Sequence, residues 1–341
     1  MKNKIDPYWG KSLRRLPWDE EEAVTESEQL ISSTIQEWYE AKHRRVSPDE
    51  VVLTNSIMIR SCPYCGSERF ICSGHYGDGI QRYQCKTCGR RFSPLTNTIF
   101  EDKKIPISEW IEYLLHLFEF HSIRSSARDN RNAESTGKYW LIKVFTVLRD
   151  IQKDVMLEGT IYLDEMYFPV IKRDTVTKDG KKLRGISRNK IGVAVAFDDK
   201  GHYVLAVEYT SKPSDKSTWT ALGSHIKRKS HIIHDGERSH GILIRELELT
   251  SEVYPTEVTK DLDDSENPLY SINHIHYLAK RFMREHGGYD RDNLQDWMNL
   301  IWFILSKPDN RYEKVSKFID LAISSPLRVK YRDVMSKKSA K

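Results

Sequence analysis

Two cysteine pairs constrain this chain more than any other feature. Cys62-Pro-Tyr-Cys65 and Cys85-Lys-Thr-Cys88 are separated by nineteen residues. Two such knuckles bring together the four thiolates that a tetrahedral Zn²⁺ ion takes as ligands. Short β-like runs surround them, from Arg69 to Cys72, Gln81 to Gln84 and Arg90 to Ser93, with turns at Gly74, Gly77 and Gly79. A segment this small cannot stabilise itself by apolar burial alone, so the metal replaces a core and the spacing predicts a zinc ribbon over residues 55–100. Only Cys72 stands outside the pairs. Cysteines at metal-ligand spacing point to a reducing compartment and away from a disulfide framework.

Patterning divides the rest of the chain. Residues 1–54 form a helical N-terminal extension, with Leu30, Ile31, Ile35, Trp38 and Tyr39 at helical spacing. Residues 101–155 read as a helical DNA-binding module. It has an apolar stripe of Trp110, Ile111, Leu114, Leu115 and Phe118, with Ser108 as the expected N-cap. A short helix from Ser122 to Asp129, a polar turn and a longer helix from Thr136 to Arg149 follow. That order fits a helix-turn-helix whose second helix would offer Thr136, Lys138, Tyr139 and Lys143 to DNA, and equally an ordinary helical hairpin.

Residues 156–310 change character: a strand, a hairpin, then alternating helices and strands, which predicts a mixed sheet flanked by helices. Trp297, Trp302 and Phe303 read as the core of a closing helix. Residues 311–341 read as a basic C-terminal tail. The fold class expected is α+β and multidomain.

Charge is informative through its placement. The 54 Lys and Arg against 49 Asp and Glu leave a net of only +5. Residues 172–190 nevertheless carry eight basic side chains, and the last fifteen residues carry six. Beside a zinc ribbon, such runs favour contacts with a phosphate backbone. No apolar run is long enough to span a bilayer and the N-terminus lacks a signal-like apolar stretch. A cytoplasmic, nucleoid-associated protein without membrane partners is the expectation.

Asp164 and Asp235 carry the chemistry. Each is read as the end of an apolar strand, Gly159-Thr-Ile-Tyr-Leu-Asp164 and His231-Ile-Ile-His-Asp235. Neighbouring strands that deliver carboxylates can hold Mg²⁺ or Mn²⁺, activating a water or a 3′-hydroxyl against a phosphodiester. A single aspartate in such a place can also be a turn residue; two, downstream of a metal module, favour the catalytic reading. Asn273, His276 and Lys280 share one face of a predicted helix. Asn273 offers a neutral amide oxygen to a hard cation, or an N-cap to its helix, and Lys280 a point charge to a phosphate. His234 and His274 flank these positions; either could bind metal, and both read more readily as surface residues of the sheet and the helix.

The chain resembles bacterial insertion-sequence transposases of the zinc-ribbon, DD(E/N)K type. The resemblance runs from about residue 58 to 305, on CPYCG and YQCKTCGRRFSPLTNTIFE, LDEMYF, KLRGISRNKIGV, IIHDG and INHIHYLAKRF. It implies an RNase H-like, integrase-like core with Asp164, Asp235, Asn273 and Lys280 as catalytic positions. It also implies structural Zn²⁺ on Cys62, Cys65, Cys85 and Cys88, and catalytic Mg²⁺ or Mn²⁺ on Asp164, Asp235 and Asn273. The partners implied are terminal inverted repeats and target DNA, bound by a dimer or larger assembly of the chain. This chain departs from the family in the charged Glu237-Arg238-Ser239-His240 run after the second aspartate and in the acidic segment 248–270. Two other functions fit the same residues: a non-catalytic zinc-ribbon DNA-binding regulator, and a stand-alone metal-dependent nuclease.

Overall fold

The computed structural model describes residues 26–42, 46–101, 103, 105–130, 132–169, 190–210, 212–287 and 291–335. The basic run from 172 to 189 and the last six residues lie outside them. The chain divides into two compact units, residues 1–147 with 308–341, and residues 148–307. No described helix is long and apolar enough to cross a membrane.

The first unit begins with α1 (Glu26–Lys42) and α2 (Pro48–Ser56). Ser47 caps α2 by accepting from the Glu50 amide, and Glu50, itself buried, pairs with Lys103 at 2.6 Å. The cysteine segment folds as an antiparallel three-stranded sheet, β1 (Phe70–His75), β2 (Gln81–Cys85) and β3 (Arg91–Phe92). Phe70, Tyr83 and Phe92 meet ring to ring at 5.5–5.6 Å around Cys62 and Cys85. This small aromatic cluster fits a sheet too short to bury a larger core.

Helices α3 (Ile107–Phe118), α4 (Ile123–Asp129) and α5 (Glu134–Leu148) follow. Helix α3 starts after Pro106, before the expected cap Ser108, because the proline fixes an extended entry and its missing N–H costs nothing there. Ser122 caps α4 by accepting from the Ser125 amide at 3.1 Å. Trp110 stacks on Trp140 at 4.3 Å, joining α3 to α5. Helix α5 differs from the DNA-facing expectation. Lys143 is buried, with its ammonium donating to the Ile99 carbonyl and lying 4.6 Å from the Tyr139 ring. Tyr139 donates to the Val329 carbonyl at 2.6 Å. Lys138 stays exposed, paired with Glu134. Periodicity had put Lys143 on a polar face, but a long aliphatic stem and nearby rings let it turn inward.

Residues 311–324 of the expected basic tail form α11 (Arg311–Ser324), capped by Asn310. Its Phe318 meets Phe118 of α3 at 6.4 Å and its Arg311 pairs with Glu119. The short α12 (Tyr331–Met335) comes next, and Tyr331 meets Tyr139 at 5.2 Å.

The second unit is built on a five-stranded sheet of β4 (Thr160–Pro169), β5 (Lys190–Asp198), β6 (Tyr203–Thr210), β7 (His231–His234) and β8 (Thr250–Val253). The strand order is β6-β5-β4-β7-β8. β4, β5 and β6 pair antiparallel, whereas β4 with β7 and β7 with β8 pair parallel. The mixed sheet expected for this region is therefore present. Strand β5 is buried almost throughout, so Ile191 to Ala196 reads as a continuous apolar run and does not alternate. Helices α6 (Asp215–Leu222) and α7 (Gly241–Glu246) pack with Ile161, Leu163, Ala194, Ala196, Val204 and Ile232 in one core. Short α8 (Thr256–Thr259) leads to α9 (Tyr270–Glu285), which packs on β4 and β5, and α10 (Leu294–Leu305) packs on β6. Trp297 and Phe303 are buried, as expected for a closing helix.

Strand β6 is an edge, and side-chain amides occupy its outer backbone groups. Gln152 accepts from the Leu205 N–H at 2.7 Å and donates to its carbonyl at 3.1 Å. Gln295 accepts from the Val207 N–H at 2.8 Å. Asn299 takes the remaining Gln152 donor at 2.7 Å and itself donates to the Arg149 carbonyl. These amides, buried at Gln152 and Asn299 and exposed at Gln295, stand in for a neighbouring strand. Gln152→Leu should strand the Leu205 N–H, while Gln295 still donates to the Leu205 carbonyl at 3.0 Å and to the Asn299 oxygen at 3.1 Å, destabilising the protein by about 1–3 kcal/mol. Equilibrium urea unfolding measures this, and an unchanged midpoint would refute the assignment.

Candidate functional site

The register of two strands builds the acidic site. Leu163 of β4 pairs with His234 of β7, and β7 ends there. The next residues on each chain are Asp164 and Asp235. Parallel strands in register present corresponding side chains on the same face, so the aspartates stand side by side where the ladder stops. Carboxylate oxygens of Asp164, Glu165 and Asp235 all lie within 4.8 Å of one another. One detail differs from the sequence expectation. Asp164 does not end its strand, because β4 continues to Pro169 paired with β5. It is a strand end with respect to β7 only.

Local hydrogen bonds orient both carboxylates. The Glu165 N–H donates to Asp164 at 2.7 Å, and the Glu237 N–H donates to Asp235 at 2.9 Å. Glu165 is buried and accepts from His240 Nε2 at 2.7 Å. His240 Nδ1 lies 2.9 Å from His234 Nδ1, which also receives the Gly236 N–H at 3.2 Å. A nitrogen receiving an amide proton is an acceptor, so His240 is the donor in the histidine pair. His240 is then placed to donate from both nitrogens, as an imidazolium does, while His234 accepts at Nδ1. The electrostatics agree. Burial alone would lower the His240 pKa, but Glu165, Asp235 and Asp164 raise it overall. His234 falls to about 4, through burial and the charge of His240.

Asp164 is pushed up to about 7, first by burial and then by Asp235 and Glu165. Glu208, on β6, also rises to about 7, chiefly by burial, against the lowering effect of the Thr218 hydroxyl that donates to it at 2.6 Å. Carboxyls held this far above their ordinary range are short of positive charge, which is the electrostatic condition for taking up a cation.

Helix α9 brings a further group. His276 is buried and its Nδ1 lies 3.8 Å from an Asp164 oxygen. Burial and then Lys280 lower its pKa to about 3, so the ring is neutral. Asn273 and Lys280 are exposed on the same helix. Sequence reasoning placed His276 on their shared face without a role, and it did not single out Glu165 or His240. The signal for His276 was its place in the buried i, i+4, i+7 stripe Ile272, His276, Ala279. Nothing in the sequence links Glu165 to His240, because that contact spans 75 residues. His274 is exposed, beside Tyr270 and Tyr277.

The four cysteines form a second candidate metal centre. Cys62 and Cys88 sulfurs are 3.8 Å apart, Cys65 and Cys85 sulfurs 3.6 Å. A tetrahedron with metal–sulfur bonds of about 2.3 Å has edges of about 3.8 Å. The two knuckles are alike: Gly66 N–H donates to Cys62 O, Gly89 N–H to Cys85 O, and both glycines have φ of 71°. That left-handed turn explains the glycine after each C-x-x-C. The Cys88 N–H donates to the Cys85 sulfur and lowers its thiol, while the neighbouring Cys65 thiol is raised, so the pair shares a proton between facing sulfurs.

The raised Asp164 pKa has a stability consequence. Between its ordinary 3.8 and about 7, the folded chain holds a proton that the unfolded chain releases. Its contribution to the metal-free protein's stability therefore falls as pH rises through that window and levels off above it. Asp164→Asn should stabilise the metal-free protein at pH 8 by on the order of 2 kcal/mol and change it little near pH 4. The full shift would give more, but the side chain keeps 22% exposure, which screens it. Urea unfolding at the two pH values tests the difference.

No family model matches the chain. It is 25% identical over 253 residues to "Uncharacterized protein in transposable element ISH50" of Halobacterium salinarum, an alignment covering 70% of this chain and 82% of that protein. Among solved structures, "Mos1 transposase paired-end complex with left transposon end" is 12% identical, covering 62% of this chain and 75% of that one, with a TM-score of 0.24. "Crystal structure of a pre-cleavage Mos1 transpososome" is 11% identical, covering 63% and 78%, with a TM-score of 0.19. Structural overlap that low carries no argument. The sequence relationship to a protein of a transposable element agrees with the insertion-sequence resemblance in the chain's own motifs.

Proposed function

We propose that the chain is a DNA transposase of an insertion sequence, cleaving and joining phosphodiesters at the ends of its element. The observation that carries this is the pairing of Asp164 and Asp235 at the end of the β4/β7 ladder, inside a group of carboxylates starved of positive charge. The mixed sheet, with a strand, a hairpin and then alternating helices and strands, supports an RNase H-like core over residues 156–310. The relationship to a transposable-element protein supports the biological setting.

In this reading Asp164 and Asp235 hold Mg²⁺ or Mn²⁺, which when bound would polarise the scissile phosphate and activate a water or 3′-hydroxyl. The chain's own residues do the rest. Buried Glu165 and His240 tie β4 to the loop that carries Asp235 and hold the two aspartates in place. Exposed Lys280 presents a charge to a DNA phosphate and exposed Asn273 a polar contact. The four cysteines hold Zn²⁺ and keep residues 55–100 folded as a ribbon. The ribbon and the helical module of residues 101–155 bind the terminal repeats, with Lys138 among the exposed contacts. The chain acts as a dimer or larger assembly, because two element ends must be joined.

The purified full chain, incubated with Mg²⁺ or Mn²⁺ and labelled DNA carrying the ends that border its gene, should yield joined products. Asp164→Asn and Asp235→Asn should each reduce them by roughly a thousandfold or more while leaving DNA affinity within about twofold. Cleavage without joining would identify a nuclease instead, and binding without chemistry a regulator. Elemental analysis should find about one zinc per chain. Replacing Cys85 and Cys88 by serine should remove it and lower DNA affinity; full binding without zinc would refute the ribbon's role.

A further inference from the structure

We propose that His276, and not Asn273, is the metal ligand that α9 supplies to the acidic site, and that the ion it holds is a first-row transition ion such as Mn²⁺ in preference to Mg²⁺. This rests on the reading of Asp164 and Asp235 as metal ligands.

The side chain of His276 is only 8% exposed, and its Nε2 is fully buried without a hydrogen-bond partner. Its Nδ1 faces Asp164 at 3.8 Å, beyond hydrogen-bond range. A buried imidazole with no hydrogen bond is costly; an ion would satisfy Nδ1, the nitrogen that faces Asp164, and leave the proton on Nε2. A polar ring left in this state against Asp164, itself one of three clustered carboxylates, has the chemistry of a ligand without its metal. The distance fits. Two donors bound to one ion at about 2.0–2.2 Å lie between about 3 Å apart when adjacent and about 4.3 Å when opposite. The 3.8 Å separation falls inside that interval, too long for a hydrogen bond and suitable for two ligands.

Helix geometry selects His276 over its neighbour. The buried stripe of α9 runs through Ile272, His276, Ala279 and Met283. Asn273 lies one residue, about 100° of rotation, from Ile272 and is exposed. His276 lies a full turn along the stripe and is directed toward β4, on which α9 packs.

Ligand chemistry then selects the ion. Mg²⁺ takes oxygen ligands in near-octahedral geometry and retains waters, whereas transition ions accept imidazole nitrogen with affinities that rise from Mn²⁺ onward. A carboxylate and imidazole set therefore discriminates against Mg²⁺ in a way that a set of oxygens alone would not.

Pulsed electron paramagnetic resonance of Mn²⁺ bound to the full-length protein, with its zinc in place, tests this directly. Imidazole nitrogen coupling should be present in the wild type, absent in His276→Gln and retained in Asn273→Ala. Mn²⁺ bound without nitrogen coupling, or coupling that survives in His276→Gln, would overturn the proposal. Where His276→Gln does not fold, His276→Glu serves instead, and calorimetric titration with Mn²⁺ and Mg²⁺ gives a second readout. The wild type should favour Mn²⁺ by at least about tenfold, and His276→Glu should bring the two ions close to parity. An unchanged preference in that variant would also overturn it. Mn²⁺ bound only by oxygens defeats this inference and leaves the transposase reading standing. Nitrogen coupling without any DNA cleavage or joining does the reverse.

Discussion

The site depends on the pairing of Leu163 with His234. That pair is the last rung between two parallel strands, and it determines which residues come next to each other beyond it. A shift of one residue would turn Asp235 to the opposite face and separate it from Asp164. The register is held by side chains far from any charge. Ile161, Leu163 and Ile232 are fully buried under α6 and α7, and their alternation allows no slip. An apolar core thus positions two carboxylates that it does not touch, and the positions of α9 and of the loop after β7 matter because they meet at this one place.

Much of this was legible from the residues. The cysteine spacing predicts the ribbon because metal geometry limits the ways four thiols can converge, and the sulfur separations agree with that limit. The hairpin of β5 and β6 was readable from Asp198-Asp-Lys-Gly201, whose first aspartate accepts from the amides of Lys200 and His202. The two aspartates were readable because each follows an apolar strand. Contacts made across the chain were not. Lys143 looks like a solvent-facing base in any helical wheel, and only the rings and carbonyl around it show why it is buried. His276 looks like a neighbour of Asn273 until α9 is placed on β4. Glu165 meets His240 only because the sheet brings β4 against the segment that precedes α7.

The polar chain from Glu165 through His240 to His234 shows what the acidic site demands of its surroundings. Three carboxylates within 4.8 Å repel one another, and burial raises that cost. His240, hydrogen-bonded on both nitrogens and with its pKa raised by these carboxylates, offsets part of it. His234, its pKa lowered, does not add to this. The compensation is incomplete, as the raised Asp164 and Glu208 show. The site is built to be completed by something positive.

The side-chain amides along β6 have a consequence for how copies of this chain can meet. An open strand edge invites a second copy to add a strand and grow a fibre or a swapped dimer. Here Gln152 and Gln295 already occupy the outer groups of Leu205 and Val207. A newcomer would have to break those bonds before making its own. Pairing of copies through this edge is therefore disfavoured, and the outer side of β6 is left as a closed face of the sheet.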